Sequence, residues 1–465
     1  GTGLTQTGAL AVAGTSSFTT SGTLSLDDAK NSFGDAVSIA AGGDATLRSS
    51  GGMTVSNVTA GSKGAIELAA ANWLAVGDLR AGAATLTAGT NMMLSGTLAA
   101  NRMSLGSGGT ISQTSGMLTA GTLDVDASGS VALSSAGNFI GSLGASTVGG
   151  SLALATSTGL SQTGPLVVAG TSDFMSVGSL ALTDARNSLG GAVRANALGG
   201  GVALRSSGDL NVASLGAAGA VSLVAGGTLT LPGTAIDTGG NDLTLASNGG
   251  ALSVGQALRG NNISLAASGG MVVAAAVTAA QQLSLDPGAN QIALVNGNLQ
   301  ASTTRIDSGI VQVGQAGGSS GSISGDIINN GTLHYMRAGN AVVGGAIGGS
   351  GRLVYGGGGR LELSGSNSYT RPKQVTARTL ALTGAGSIAS SSGVSLAAGA
   401  AFDVSGSKAG QVDIGALAGA FGSVVQLGAK ALSVGGANTA STFGGTIAGT
   451  GGSLVEPGGA PLTAG

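Results

Sequence analysis

Val202-Ala203-Leu204, Leu210-Asn211-Val212, Val221-Ser222-Leu223, Leu229-Thr230-Leu231, Leu243-Thr244-Leu245, Leu252-Ser253-Val254, Ile263-Ser264-Leu265, Leu283-Ser284-Leu285 and Ile292-Ala293-Leu294 repeat one phrase, apolar-x-apolar. That alternation is the period of a strand, not of a helix. Every second triplet starts at 202, 221, 243, 263 and 283, so the chain has a period of about 20 residues with two triplets per unit. A unit this short, broken by Gly, Asn, Asp and Ser, cannot bury its own apolar face and must stack on copies of itself. The expected fold is all-β: a right-handed parallel β-helix with about 20 residues per turn, whose inward Leu, Val and Ile side chains form aliphatic columns.

Working outward, residues 3–61 return as residues 159–219. GLTQTGALAVAGTSSF becomes GLSQTGPLVVAGTSDF, and LSLDDAKNSFG becomes LALTDARNSLG. The offset is 156 up to Val37/Val193 and 157 at Arg48/Arg205, which reads as close to eight turns with one residue inserted in a loop. A weaker third copy begins near Gly109. Gln6, Gln113 and Gln162 each precede an asparagine, Asn31, Asn138 and Asn187, by 25 residues, and Gly34, Gly141 and Gly190 follow three residues later. Asn and Gly suit a sharp corner with positive φ. Corner chemistry, with amides bonding exposed backbone, is preferred to ligand binding for these residues. Phe18 and Phe174, at matching positions, are expected to fill a column or cap a corner, and Met92-Met93 to fill gaps.

Composition closes several routes. Of 465 residues 90 are glycine, yet 42% are hydrophobic and mean hydropathy is +0.40, which is not the balance of a disordered chain. Charged residues are 8%, with 18 basic against 20 acidic, so nucleic acid is not an expected partner. Cysteine is absent, and one histidine, His334, cannot assemble a zinc site of usual ligands. No G-x-S-x-G elbow accompanies His334. The acids that would have to serve an enzyme are Asp27-Asp28 with Lys30, and Asp124 with Asp126. In the duplicate, Thr183, Asp184 and Arg186 replace Asp27, Asp28 and Lys30, as expected of a structural pair. Gly239-Gly240-Asn241-Asp242-Leu243 shares part of a calcium nonapeptide without the array that would complete it. We therefore expect no catalytic, cofactor-binding or metal-binding residues, and no enzyme. The start lacks a signal peptide's basic and apolar regions, and no 18-residue apolar run occurs, so the sequence reads as an internal piece of a longer protein.

The repeats at residues 22–51 and 178–208, of the form GTLxLxDAxNxFGGxVxLxxxGDxxLxSxG, resemble those of filamentous haemagglutinin-type bacterial exoproteins exported by two-partner secretion. Looser repeats continue to residue 318. From 319 the texture changes, and GAIGGSGRL, GRLELSGSNSYT at residues 345–353 and 359–370 is similar to the autotransporter-associated strand repeat of passenger domains, with Arg371-Pro372-Lys373 standing where that family continues with Gly and Thr. Residues 445–454 open the same repeat again. The resemblance implies residues 1–318 as haemagglutinin-type repeats and 319–465 as a continuous but truncated autotransporter-type stretch. It implies a secreted or outer-membrane-associated chain at the bacterial surface, carried by a translocator during export. The expected function is a structural stalk in a large adhesin, about 23 turns and on the order of 110 Å long. A binding module for a host-cell surface glycan or protein, or for a second copy in aggregation or biofilm, is the alternative, with Tyr335, Arg337, Arg352, Tyr355 and Arg360 as its first candidates. A glycan-degrading enzyme ranks third.

Overall fold

The computed structural model describes residues 3–457 and 461–465, and all its regular structure is strand, paired in parallel throughout. The chain packs as two compact units, residues 1–232 and 233–465. Each is a β-solenoid. In the second unit Leu243, Ile263 and Leu283 lie one over another at intervals of 20 residues. Elsewhere a turn takes from 18 residues, Ala65 to Ala83, to 24, Leu299 to Ile323.

Each turn presents three faces, not the two that the triplets suggested. In the first unit the inward columns run Leu24, Ala45, Ile66, Ala84, Met103 and Leu123 on one face. The second face carries Leu74, Met92, Ile111, Val131 and Leu152, and the third Ile39, Val58, Leu79, Leu98 and Leu118. All these side chains are buried. In the second unit the third face is Ile236, Leu258, Val277, Leu299 and Ile323. Its strands are short and poor in large aliphatics: Leu258–Gly260 and Val277–Ala279 each bury one such residue and one Gly or Ala. Met271–Val273, by contrast, continues the face of Leu252–Val254 and buries two large residues.

One triplet is out of phase. Ile292 is 46% exposed, and Ala293 and Val295 are the inward residues, registered on Met271 and Val273. The strand spans Ile292–Val295, so a four-residue apolar run allowed either phase and the partner strand decides it.

Close stacking dictates where glycine stands. A Cβ on Gly89 would sit 1.9 Å from the carbonyl oxygen of Ala71 on the preceding rung, and one on Gly42 would sit 2.2 Å from that of Ser21. Gly34, Gly141 and Gly190 follow this rule rather than the expected one. Their φ values are not positive, but an added Cβ would meet the oxygens of Ala13, Gly121 and Ala169 at 2.6, 2.8 and 2.8 Å. Acids and amides meanwhile tie rung to rung. The Oδ1 atoms of Asp44, Asp78, Asp209 and Asp326 accept the backbone N–H of Ala65, Thr97, Thr228 and Ala346 at 2.7–2.8 Å.

Gly89→Ala is expected to destabilise the first unit by about 1–3 kcal/mol through forced displacement of a rung. Gly208→Ala, which has open space at the same point, is expected to be neutral within about 0.5 kcal/mol. Urea unfolding of the two variants beside the parent checks this, and equal effects would contradict the close-approach argument.

Candidate functional site

The most constructed polar arrangement in the chain is the Gln–Asn pair, which occurs three times in the first unit. Asn31, Asn138 and Asn187 are fully buried. Each exchanges two amide hydrogen bonds with its glutamine: Gln6 with Asn31 at 2.9 and 2.9 Å, Gln113 with Asn138 at 2.8 and 2.9 Å, Gln162 with Asn187 at 2.8 and 2.9 Å. The same asparagine Oδ1 accepts the N–H of Leu10, Leu118 or Leu166. The glutamine amide also donates to a nearby carbonyl, that of Gly8, Gly116 or Gly164. The clamp joins the start of one turn to the corner of the next, and every amide oxygen and nitrogen of the three pairs takes part in at least one of these bonds. Corner chemistry is what these residues perform.

The register adds something that the spacing did not show. Asn31 precedes Ser32–Phe33, which lies between the strands of the first and third faces; Asn138 precedes Phe139–Leu143, whose start extends the third face; Asn187 precedes Ser188–Leu189, in line with Ser146–Val148 and the first face. The three clamps thus occupy three different corners. The 156-residue duplication falls one face short of eight turns: Leu24 belongs to the column that reaches Leu143 and Gln162, whereas its duplicate Leu180 pairs with Leu160 and Val202. Phe18 and Phe174 follow suit. Phe18 lies over Ile39 on the third face and meets Phe33 edge-on at 6.2 Å, while Phe174 is fully buried over Leu154 on the second. Met92 is buried and Met93 is 45% exposed, so only the first fills a gap.

The candidate acids are dispersed. The carboxylates of Asp28 and Asp184 accept the backbone N–H of Lys30 and Arg186, closing the same turn twice. At Asp184 the guanidinium of Arg186 holds the carboxyl down to about 2. Asp124 faces outward and pairs with Arg102 of the preceding rung at 2.8 Å. Asp242 accepts from Asn262 and Asn261 on the next rung, and backbone and side-chain bonds to Asn262 lower its pKa. Among the described residues no three His, Asp or Glu side chains gather as a metal group would. His334 is half-buried, its pKa lowered by burial, with Gln312 and Val354 beside it on adjacent rungs.

The polar and aromatic group of the second unit is divided by the wall of the solenoid. Tyr335 and Tyr355 are buried, continuing the column Val254, Val273, Val295, Val313 toward Val375. Tyr355 donates to the Gly359 carbonyl at 2.7 Å. Arg360 pairs with Glu362 and Asp403, and Arg337 donates to the Gly321 carbonyl. Arg352 alone of the five is exposed. As strand residues, Tyr335 and Tyr355 share an inward phase with Leu333 and Leu353, a signal available in the alternation of Leu333-His334-Tyr335 and Leu353-Val354-Tyr355.

Sequence reasoning missed two further features. Trp73 is 47% exposed and covers Gly52, where a Cβ would meet the indole at 2.1 Å. Lys373, of the Arg371-Pro372-Lys373 departure, opens the strand Lys373–Val375, points inward and is buried. Its Nζ donates to the carbonyls of Tyr369 at 3.2 Å and Arg371 at 3.0 Å and lies 3.5 Å from the centre of the Tyr369 ring. Burial pushes its pKa down to about 7.

Parallel rungs, three inward columns and repeated corner clamps define a β-solenoid repeat protein. The family described as "Repeats of unknown function (DUF5649)" matches residues 1–40, 81–142 and 140–196, all within the first unit. Each matched segment holds one Gln–Asn clamp. No curated protein and no solved structure matches the chain.

Asn138→Ala strands the buried Leu118 N–H and removes both amide bonds to Gln113, and is expected to cost about 2–4 kcal/mol in unfolding free energy. The exposed Asn101→Ala is the control, expected within about 0.5 kcal/mol of the parent. For Lys373 the folded state releases its proton near 7 and the unfolded state near 10.5, so the unfolded chain binds the extra proton between them. Stability of the second unit is therefore expected to rise from pH 7 toward 10. Above 10 the buried hydroxyls of Tyr335 and Tyr369, held protonated by burial, reverse the trend. Denaturant midpoints from pH 6 to 10 should show that rise in the parent and lose it in Lys373→Met; an unchanged slope would refute the assignment.

Proposed function

We propose that this chain is a structural segment of a large secreted or surface-anchored bacterial exoprotein, a passenger or stalk that holds another region away from the cell. One observation carries the reading: rung after rung is tied to the next by backbone ladders and aliphatic columns, with side-chain caps across several of the rungs. The outward side chains are mostly small and neutral. Such stacking gives stiffness and lets each turn fold on the last, which suits a chain that emerges from an outer-membrane translocator in an extended state. The resemblance to filamentous haemagglutinin-type and autotransporter-associated repeats supports the surface location and the adhesin setting. Asp28, Asp184 and Asp124 serve turns and ion pairs, which favours a non-catalytic role.

The test is to place the chain between an outer-membrane anchor and an epitope tag on living bacteria. Antibody binding to the tag is expected to exceed by several-fold that seen when a Gly-Ser linker of equal residue number replaces the chain. Equal access would remove the spacer function. The alternative, a module that binds a host-cell surface glycan or protein or a second copy, is favoured by the outward Arg352 and its neighbour Arg371.

A further inference from the structure

In the second unit three glycines stack as the floor of a groove. A Cβ on Gly331 would meet the Gly309 oxygen at 2.5 Å, and one on Gly351 would meet that of Gly331 at 2.3 Å, so the column can bear no side chains. The groove over it has a volume of about 590 Å³ and is walled by Asn290, Asp307, Ser308, Asn330, Arg352 and Arg371. Asn290 and Gly309 have φ of 61° and 63°, turning the chain sharply at one end.

Among the described residues, two basic side chains of this groove lack the carboxylate partner that Arg305 and Arg360 have. Arg305 pairs with Asp307, and Arg360 with Glu362 and Asp403. Arg352 and Arg371 are exposed and have no carboxylate within ion-pairing distance among the described residues. Arg371 donates through Nε to the Ser350 carbonyl at 2.9 Å, and its terminal amino groups make no hydrogen bond among the described residues. Asp307, the one acid among the lining residues, is engaged by Arg305 and by the hydroxyl of Ser284. The groove is thus locally cationic on a chain of net charge −2.

We propose that this groove binds an anionic saccharide, with Arg352 and Arg371 taking its carboxylate or sulfate groups and the amides of Asn290 and Asn330 taking its hydroxyls. Planar guanidinium groups suit such bidentate acceptors. The floor crosses three rungs, about 10 Å, which fits two or three sugar units. A protein partner would need an apolar or aromatic anchor buried at the centre of its contact, and this floor is bare backbone. The assignment rests on the alternative binding reading and leaves the spacer role untouched, since the epitope experiment does not involve these residues.

Titration calorimetry of the full chain with trigalacturonate, maltotriose, dextran sulfate and unmodified dextran tests it. At least one anionic probe is expected to bind, its affinity falling with added salt, and neither neutral probe. Preference between the two anionic probes tells carboxylate from sulfate recognition. The double variant Arg352→Ala/Arg371→Ala is expected to lose about tenfold or more in affinity, the loss expected for charge-assisted hydrogen bonds. Arg80→Ala/Arg205→Ala, which removes the same charge from exposed positions of the first unit, is expected to bind as the parent does. Circular dichroism confirms that both remain folded. Binding of neither anionic probe, equal binding of a neutral one, or an unaffected Arg352/Arg371 variant would overturn the proposal.

Discussion

The distance between one rung and the next, about 4.8 Å for hydrogen-bonded strands, governs the rest of the molecule. At that separation a side chain faces its counterpart on both neighbouring rungs, so each position is shared with a column. Corners bring carbonyl oxygens to where a Cβ would stand, as at Gly42 and Gly89, and glycine becomes obligatory there. Outward columns cannot stack like charges at this spacing without mutual repulsion. A chain with 8% charged residues, many of whose acids accept backbone N–H groups from the next rung, is the composition this spacing selects.

The interior is mostly aliphatic, and both units carry polar exceptions. Thr304 replaces an aliphatic residue in the Leu283–Ile327 column with its hydroxyl lacking a partner, and the hydroxyls of Tyr335 and Tyr369 are likewise buried without one. Lys373 lies against Tyr369 in the same region. Polar groups enclosed without full satisfaction cost stability. The clamps of the first unit bury amides with each oxygen and nitrogen of the pair hydrogen-bonded. Ladders and aliphatic columns are common to both units; the amide clamps are a feature of the first.

The sequence made the period and the parallel stacking legible because Leu, Val and Ile recur on schedule. The third face was hidden because strands such as Leu258–Gly260 and Val277–Ala279 bury one large residue apiece, too weak a signal to count as a triplet. The phase at Ile292 was set by the neighbouring rung, not by its own residues. Tyr335 and Tyr355 looked like surface residues because arginines stand near them in sequence, but strand alternation sends the two kinds of side chain to opposite sides. The groove floor was unreadable, since Gly309, Gly331 and Gly351 are 22 and 20 residues apart and nothing in their spacing distinguishes them from other corner glycines.

The clamp at three corners shows that the corners are structurally interchangeable. A segment lengthened by a whole number of faces, not only of turns, can be inserted and still find its place. Internal duplication in this architecture therefore has a grain of one third of a turn, and recombination has three times as many acceptable junctions as a strictly turn-wise repeat would allow. The duplicated surface is not carried along one side: each new copy looks out in a different direction from its parent. Growth by copying lengthens the scaffold without lining up identical features, so a row of matched sites along one face would have to be selected residue by residue.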